Sequence, residues 1–268
     1  MKYKLLVIDI DGTIIGKDGS ISPEDSEALA KVRDLGMQVS LSTGRAAQGC
    51  LPIIERLALD GYHIFFDGAL VSNLDEEVYA EPIKSEVVRK GIEFARQNDI
   101  YLELYSASRF FVERETWATE IHRDFFHLEP TVVDFSGLWD RERIIKGGLV
   151  TASPEEIAKA ESFRLHFERS LHFSLARSPA YPKVGFFNVV DLGVSKGKAL
   201  AALTSHLGIA PSEVMAIGDG ANDISLLSSV GLAVAMGNAP DEVKSIAHYT
   251  TLDVAHSGLA AAVKKFLL

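Results

Sequence analysis

Four short segments of this chain carry residues whose types and spacing can do chemistry. The first is Asp9-Ile10-Asp11-Gly12-Thr13, directly after the apolar run Tyr3-Lys4-Leu5-Leu6-Val7-Ile8. Two carboxylates one residue apart on an extended chain point to the same side. Crowded together they repel unless a metal binds them or one stays protonated, and either outcome is usable chemistry. In isolation an Asp-x-Asp-Gly reads as a turn after a buried strand. The second segment changes that weighting: Val214 to Gly218 is another short run of strand formers, and it ends in Asp219-Gly220-Ala221-Asn222-Asp223 before the apolar Ile224 to Leu227. Asp9, Asp11, Asp219 and Asp223 together form an oxygen-only ligand set, the preference of a hard cation such as Mg2+. For Asp223 taken alone, a helix cap is the competing reading.

The third segment, Gln38 to Arg45, ends in Ser42-Thr43-Gly44-Arg45. A threonine hydroxyl and the amides after it can hold phosphate oxygens at a helix entrance, although Ser and Thr are also common helix caps. The fourth is Gly193-Val194-Ser195-Lys196-Gly197-Lys198, before the amphipathic run Ala199 to Leu207. Lys196 would start that helix and could point at the same anion, whereas most lysines at helix starts are solvated. The G-x-x-x-x-G-K-[ST] spacing of a nucleotide-binding P-loop is absent.

The elements around these segments are those of an α/β protein. Asp18-Gly19 marks a hairpin turn. Ser22-Pro23-Glu24 opens a helix that runs through Leu35 and stops at Gly36, with serine as cap and proline in the first turn. Strand Met37 to Ser42, a helix near Ala46 to Leu59 with Pro52 early in it, and strand His63 to Phe66 follow. Strand and helix alternate, which predicts a parallel sheet. Near Pro82 the pattern changes. Helix Ser85 to Gln97 precedes the short runs Tyr101 to Tyr105 and Phe110 to Val112, and similar runs at Ile144 to Val150 and Val184 to Val189 read with them as an antiparallel sheet. From Lys196 the alternation resumes to Leu268. The order predicts a Rossmann-like parallel-sheet core, residues 1–82 and 186–268, interrupted by an inserted α+β domain at 83–185. In open parallel sheets the ligand crevice lies beyond the carboxyl ends of the strands, where all four segments fall.

Composition narrows the partners. At 268 residues with 47% hydrophobic content the chain can bury a large core, and no stretch approaches the roughly 18 apolar residues of a membrane span. A formal charge of −10 argues against nucleic acid, whose backbone requires a basic face. The segment 83–185 carries 15 Lys and Arg against 16 Asp and Glu and the remainder 12 against 21, so the acidity is concentrated in the part that holds the carboxylate cluster. The single Cys50 excludes an internal disulfide and reads as a packing residue. The opening Met1-Lys2-Tyr3-Lys4 runs straight into the first strand and does not read as a cleavable signal; a cytoplasmic protein with no membrane association is expected.

In order, the four segments resemble the signature motifs of the haloacid dehalogenase superfamily, and more narrowly its Cof-type sugar-phosphatase branch. Ser195-Lys196-Gly197 with Ala199-Leu200, Ala235-Met236-Gly237-Asn238-Ala239, and Ser257-Gly258-Leu259 with Ala261-Ala262 match that branch in order and spacing, so the likeness spans nearly the whole chain. Where the branch usually has Asn-Gly-Ala after the third core strand, this chain has Asp67-Gly68-Ala69, an extra negative charge near the expected phosphate entrance.

The resemblance implies a Mg2+-dependent hydrolase of small phosphomonoesters, sugar or cofactor-precursor phosphates, with the inserted domain as a cap that chooses the substrate. Asp9 is then the nucleophile that becomes an aspartyl-phosphate, and Asp11 the acid and later the base. Mg2+ is held by Asp9, the backbone carbonyl of Asp11 and Asp219, with Asp223 orienting the metal or its waters. Thr43 with Gly44, Lys196 and Asn222 bind the phosphoryl oxygens, and Arg45 stands behind them. Arg109, Arg114, Trp117, His122 and Arg123 are the candidate cap residues. His122 and His127, without a nearby Cys, make a poor zinc pair. The rivals are a phosphomutase of the same superfamily and a phospho-accepting receiver-like signalling module. A receiver is about half this length, lacks an Asp two residues after the acceptor, and leaves the inserted domain unexplained. A dehalogenase would not require the acid/base carboxylate at Asp11.

Overall fold

Leu5-Leu6-Val7-Ile8 is apolar at every position, as a parallel strand covered on both faces must be, and in the computed structural model all four residues are at most 1% exposed. The structure describes residues 2–16, 19–73, 75–176 and 181–268; Asp18 of the expected Asp18-Gly19 turn lies outside them. The chain forms two compact units. One comprises Met1–Thr43, Ile53–Tyr79 and Ser195–Leu268, the other Gly44–Pro52 and Ala80–Val194.

In the first unit, Leu5–Ile8 is the fourth strand of a five-stranded sheet ordered Tyr249–Thr250, Leu232–Ala235, Val214–Gly218, Leu5–Ile8, Gln38–Leu41. Every pairing is parallel. Leu5 and Val7 pack with Val214, Ala216, Leu200 and Leu203 into one core. Helix Pro23–Asp34 starts as expected: the Ser22 side chain accepts from the Asp25 amide, and Gly36 follows at φ +82°. Helix Lys196–Leu207 is capped by Ser195, whose side chain accepts from the Lys198 amide, and it ends on left-handed Gly208. A shorter sheet of His63–Phe65, Leu70–Ser72 and Glu77–Ala80 completes this unit.

The helix expected over Ala46 to Leu59 is much shorter. A single 3-10 turn, Gln48–Cys50, leads into α-helix Leu51–Arg56. Pro52 has no N–H to give to an earlier carbonyl, so the α-ladder cannot extend back through it, and Ala58 at φ +48° closes the far end.

The second unit is an antiparallel six-stranded sheet with one exception. Its order is Leu171–Ala176, Gly185–Asp191, Lys146–Thr151, Glu103–Tyr105, Phe110–Val112, Pro130–Val132. The last two strands run parallel. Helices Ser85–Gln97 and Pro154–Phe167 cover one face through Val88, Ile92, Ala95, Ala160, Phe163 and Phe167. Among the described residues no helix is long and apolar enough to cross a membrane.

Candidate active site

Three neighbouring strands of the parallel sheet end on reactive side chains: Leu5–Ile8 on Asp9, Gln38–Leu41 on Ser42 and Thr43, and Val214–Gly218 on Asp219. The backbone joins them, since the Asp9 amide donates to Ile217 O at 3.0 Å and the Ser42 amide to Ile8 O at 2.8 Å. Gly12 turns the first loop at φ +93°, and a Cβ there would lie 2.2 Å from Asp219 Oδ2. Only glycine lets the two loops come this close.

Lys196 is the centre of the cluster. Its ammonium donates to Asp9 Oδ1 at 2.7 Å, to Asp223 Oδ1 at 2.6 Å and to the Ser42 carbonyl at 3.1 Å. An ammonium has three hydrogens, so all of them are committed. The lysine that its position at a helix start would make a solvated surface residue is instead fully buried, with 0% of its side chain exposed. Burial works against its charge, but Asp223 and Asp9, and beyond them Asp67, raise its pKa above the usual lysine value.

The carboxylates show the converse. Burial pushes the Asp9 carboxyl well above its usual range; Lys196 pulls against this, while Asp223 and Asp219 add to it. Asp219 is pushed up to about 7 by burial and then by Asp223, with the Thr13 hydroxyl acting in the other direction. One lysine therefore does not neutralise the cluster. Asp9, Asp219 and Asp223 each offer an oxygen, all within 4.8 Å of one another, which fits a hard cation with oxygen ligands. Their availability differs. Asp223 gives Oδ1 to Lys196 and accepts at Oδ2 from the amides of Asp219 and Gly220, at 3.1 and 3.0 Å. It ties its own loop and the lysine together, and although Asp223 is the N-cap residue of helix Ile224–Leu227, its side chain makes no capping hydrogen bond to that helix. Asp219 accepts one hydrogen bond at each oxygen and Asp9 is held by Lys196 at Oδ1, so both are less committed than Asp223 with its three. The Asp11 side chain is partly exposed and outside that group.

The remaining expected residues divide. Thr43 is 1% exposed; its amide donates to Ile64 O and its carbonyl accepts from the Asp67 amide, both at 2.9 Å. Asn222 is exposed and donates through Nδ2 to Asp67 Oδ1 at 2.8 Å. Gly44 and Arg45 fall in the second unit, where the Gly44 carbonyl accepts from Lys146 Nζ at 3.3 Å and the Arg45 guanidinium lies 5.2 Å from the Phe126 ring centre. Two contributors had no expected role. The Thr13 hydroxyl donates to Asp219 Oδ1 at 3.0 Å. Asn238 Nδ2 donates to Asp219 Oδ2 at 3.0 Å and to Gly12 O at 2.9 Å. Both hold the Asp219 carboxylate in place.

In the second unit the five candidate cap residues do not converge on one point. Arg109 pairs with Glu142, Arg114 with Asp99, and Arg123 with Glu115 and Glu129. Arg114 and Trp117 line a cavity of about 260 Å3 with Tyr101, Thr116 and Lys159. His122 is buried, its Nε2 3.0 and 3.1 Å from the two oxygens of Glu103, and His127 is the left-handed residue that ends helix Trp117–Phe126.

Comparison with known proteins gives a consistent result. The family of haloacid dehalogenase-like hydrolases matches residues 6–263. The chain is 28% identical to the HMP-PP phosphatase of Serratia proteamaculans, over 91% of this chain and 87% of that protein. It is 29% identical to the 5-amino-6-(5-phospho-D-ribitylamino)uracil phosphatase of Bacillus subtilis, over 99% and 96%. A solved phosphatase of the HAD superfamily from Bacteroides thetaiotaomicron is 31% identical and covers 98% of this chain and 95% of its own, with a TM-score of 0.79.

Proposed function

The chain belongs to the haloacid dehalogenase-like hydrolases, and from that premise we propose that it hydrolyses small phosphomonoesters through an aspartyl-phosphate on Asp9. It is a phosphatase of the Cof-type branch, as its relatives are. Two of those relatives act by name on HMP-PP and on a phosphorylated ribitylaminouracil, which favours sugar and cofactor-precursor phosphates as substrates here. The observation that carries the proposal is the buried ammonium of Lys196 bridging Asp9 and Asp223 beside Asp219. It supports the reading because a buried ammonium and three carboxylates, one of them at the end of the first strand, lie in one cluster.

Lys196 fixes the Asp9 carboxylate through Oδ1. A carboxylate oxygen of Asp9 then attacks phosphorus as the bond to the leaving oxygen breaks, and Asp11 passes its proton to that oxygen. In the second step Asp11 takes a proton from water, whose oxygen attacks the phosphorus. Inorganic phosphate leaves and the Asp9 carboxylate is restored. Thr43, Gly44 and Asn222 hold the phosphoryl oxygens meanwhile. Mg2+, held by Asp9 and Asp219 with Asp223 behind them, would neutralise phosphate charge. Residues 83–185 would act as the cap that selects the organic part of the substrate.

The test is release of inorganic phosphate from a panel of phosphorylated metabolites by the purified protein with Mg2+, with Asp9→Asn as control. A clear preference for one substrate group, abolished by Asp9→Asn, is the expected result. Equal turnover by Asp9→Asn would overturn the mechanism.

A further inference from the structure

One turn touches three of the loops that carry the site. Phe66, Asp67 and Gly68 have successive φ values of +53°, +57° and +105°, a left-handed run that side-chain-bearing residues rarely adopt. The Asp67 amide donates to Thr43 O at 2.9 Å. Gly68 lies against the start of the Lys196 helix, where a Cβ would sit 2.4 Å from Ser195 O and 2.8 Å from Lys196 N. The Asp67 carboxylate, on a residue only 5% exposed, accepts from Asn222 Nδ2 at 2.8 Å. The turn thus joins the loops of Thr43, Lys196 and Asn222.

The chemistry of the third tether is directional. An ionised carboxylate only accepts hydrogen bonds, whereas a primary amide has an accepting and a donating end that are nearly the same shape. Opposite Asp67, the Asn222 amide has one satisfactory orientation, with Nδ2 towards the carboxylate. That NH2 has two hydrogens. One is given to Asp67 and the other is left for an anion. An asparagine at position 67 could pair with Asn222 in either sense and would leave the amide free to flip.

We infer that Asp67 is a positioning residue that presets the Asn222 amide as a donor to the transferring phosphoryl group. This rests on the proposed phosphatase reaction and on Asn222 as one of its phosphate ligands.

The test uses Asp67→Asn, Asn222→Ala, the double variant carrying both, and a swapped pair, Asp67→Asn with Asn222→Asp. Steady-state kcat and KM are measured on the best substrate, with the thermal midpoint of each protein. Asp67→Asn should lower kcat by about tenfold, the scale of one hydrogen bond, and should lower it no further in the Asn222→Ala background. The swapped pair restores a hydrogen bond between the two positions but reverses its donor. It should recover the thermal midpoint and not kcat. Recovery of kcat in the swapped pair would show that Asp67 is only a tether. Equal losses from Asp67→Asn in both backgrounds would show that it does not act through Asn222. If Asn222→Ala is as active as the natural protein while Asp9→Asn is dead, the inference falls and the phosphatase reaction stands. If Asp9→Asn stays active, both fall.

Discussion

Replacing Lys196 with methionine isolates what the buried ammonium does, because the shape is nearly kept and the charge is lost. The ammonium is 2.7 Å from Asp9 and 2.6 Å from Asp223, and none of its side chain is exposed. At such distances each pair attracts by roughly 6 kcal/mol at an effective dielectric of about 20. Much of that is offset by the cost of removing three charges from water. What remains on deleting one partner of a buried pair is a loss of about 3–5 kcal/mol. For a chain of this size that lowers the thermal midpoint by about 6–20 °C. Urea and thermal unfolding of the metal-free proteins at pH 7 measure the gap. Two further effects identify its origin. Lowering the pH towards 5 should narrow the gap, since Asp9, already raised by burial, protonates more readily once the lysine is gone. Mg2+ should stabilise the variant more than the natural protein, because it supplies the missing positive charge. A loss below about 1 kcal/mol, within the range of exposed ion pairs, or a gap indifferent to both pH and Mg2+, would refute the account of Lys196 as the counter-charge of the cluster.

Phosphate release should vanish with EDTA and return with Mg2+, because a carboxylate cluster with one lysine repels a phosphate dianion; full turnover by metal-free protein would remove the metal from the mechanism. Asp11→Ala should accumulate a phosphate adduct on Asp9 when supplied with p-nitrophenyl phosphate, whose leaving group needs little protonation, and intact mass after acid quench reads it directly. An adduct that maps elsewhere would reassign the nucleophile. His63 makes stability fall in mild acid. It is 1% exposed and accepts the Leu41 amide at Nδ1, 3.2 Å away, and burial lowers its pKa to about 4 against the opposing charge of Asp60. The unfolded chain takes up the proton near pH 6.5 and the folded one only near 4. The stabilisation is present above pH 6.5 and lost as pH falls through that window, by up to about 3 kcal/mol. Urea titrations at pH 7 and 4.5 should show that slope in the natural protein and a shallower one in His63→Phe.

The parts of the site that were legible in the sequence are those where a strand ends on its reactive residue. Asp9 and Asp219 follow strand-forming runs directly and Thr43 is separated from strand Gln38–Leu41 by Ser42 alone, so the run that predicts the strand also predicts which end of the sheet the side chain occupies. Thr13 and Asn238 gave no such signal. Their partner Asp219 is 206 residues from Thr13, and Asn238 also reaches Gly12 across 226 residues, and nothing within a short polar loop encodes a contact at that range. The candidate cap arginines are a different case. A guanidinium in a sequence looks available, but Arg109, Arg114 and Arg123 each meet a carboxylate of the same unit, and that pairing depends on how the strands and helices are packed. Glycines stand between these cases. Gly12 and Gly218 are visible beside their acid motifs and announce that something approaches the backbone closely. Only the fold shows what: a Cβ would lie 2.2 Å from Asp219 Oδ2 at Gly12 and 2.5 Å from Asp223 Oδ2 at Gly218. The absent side chains are therefore part of how the carboxylates are brought together, and the glycines belong to the site as much as the acids they make room for.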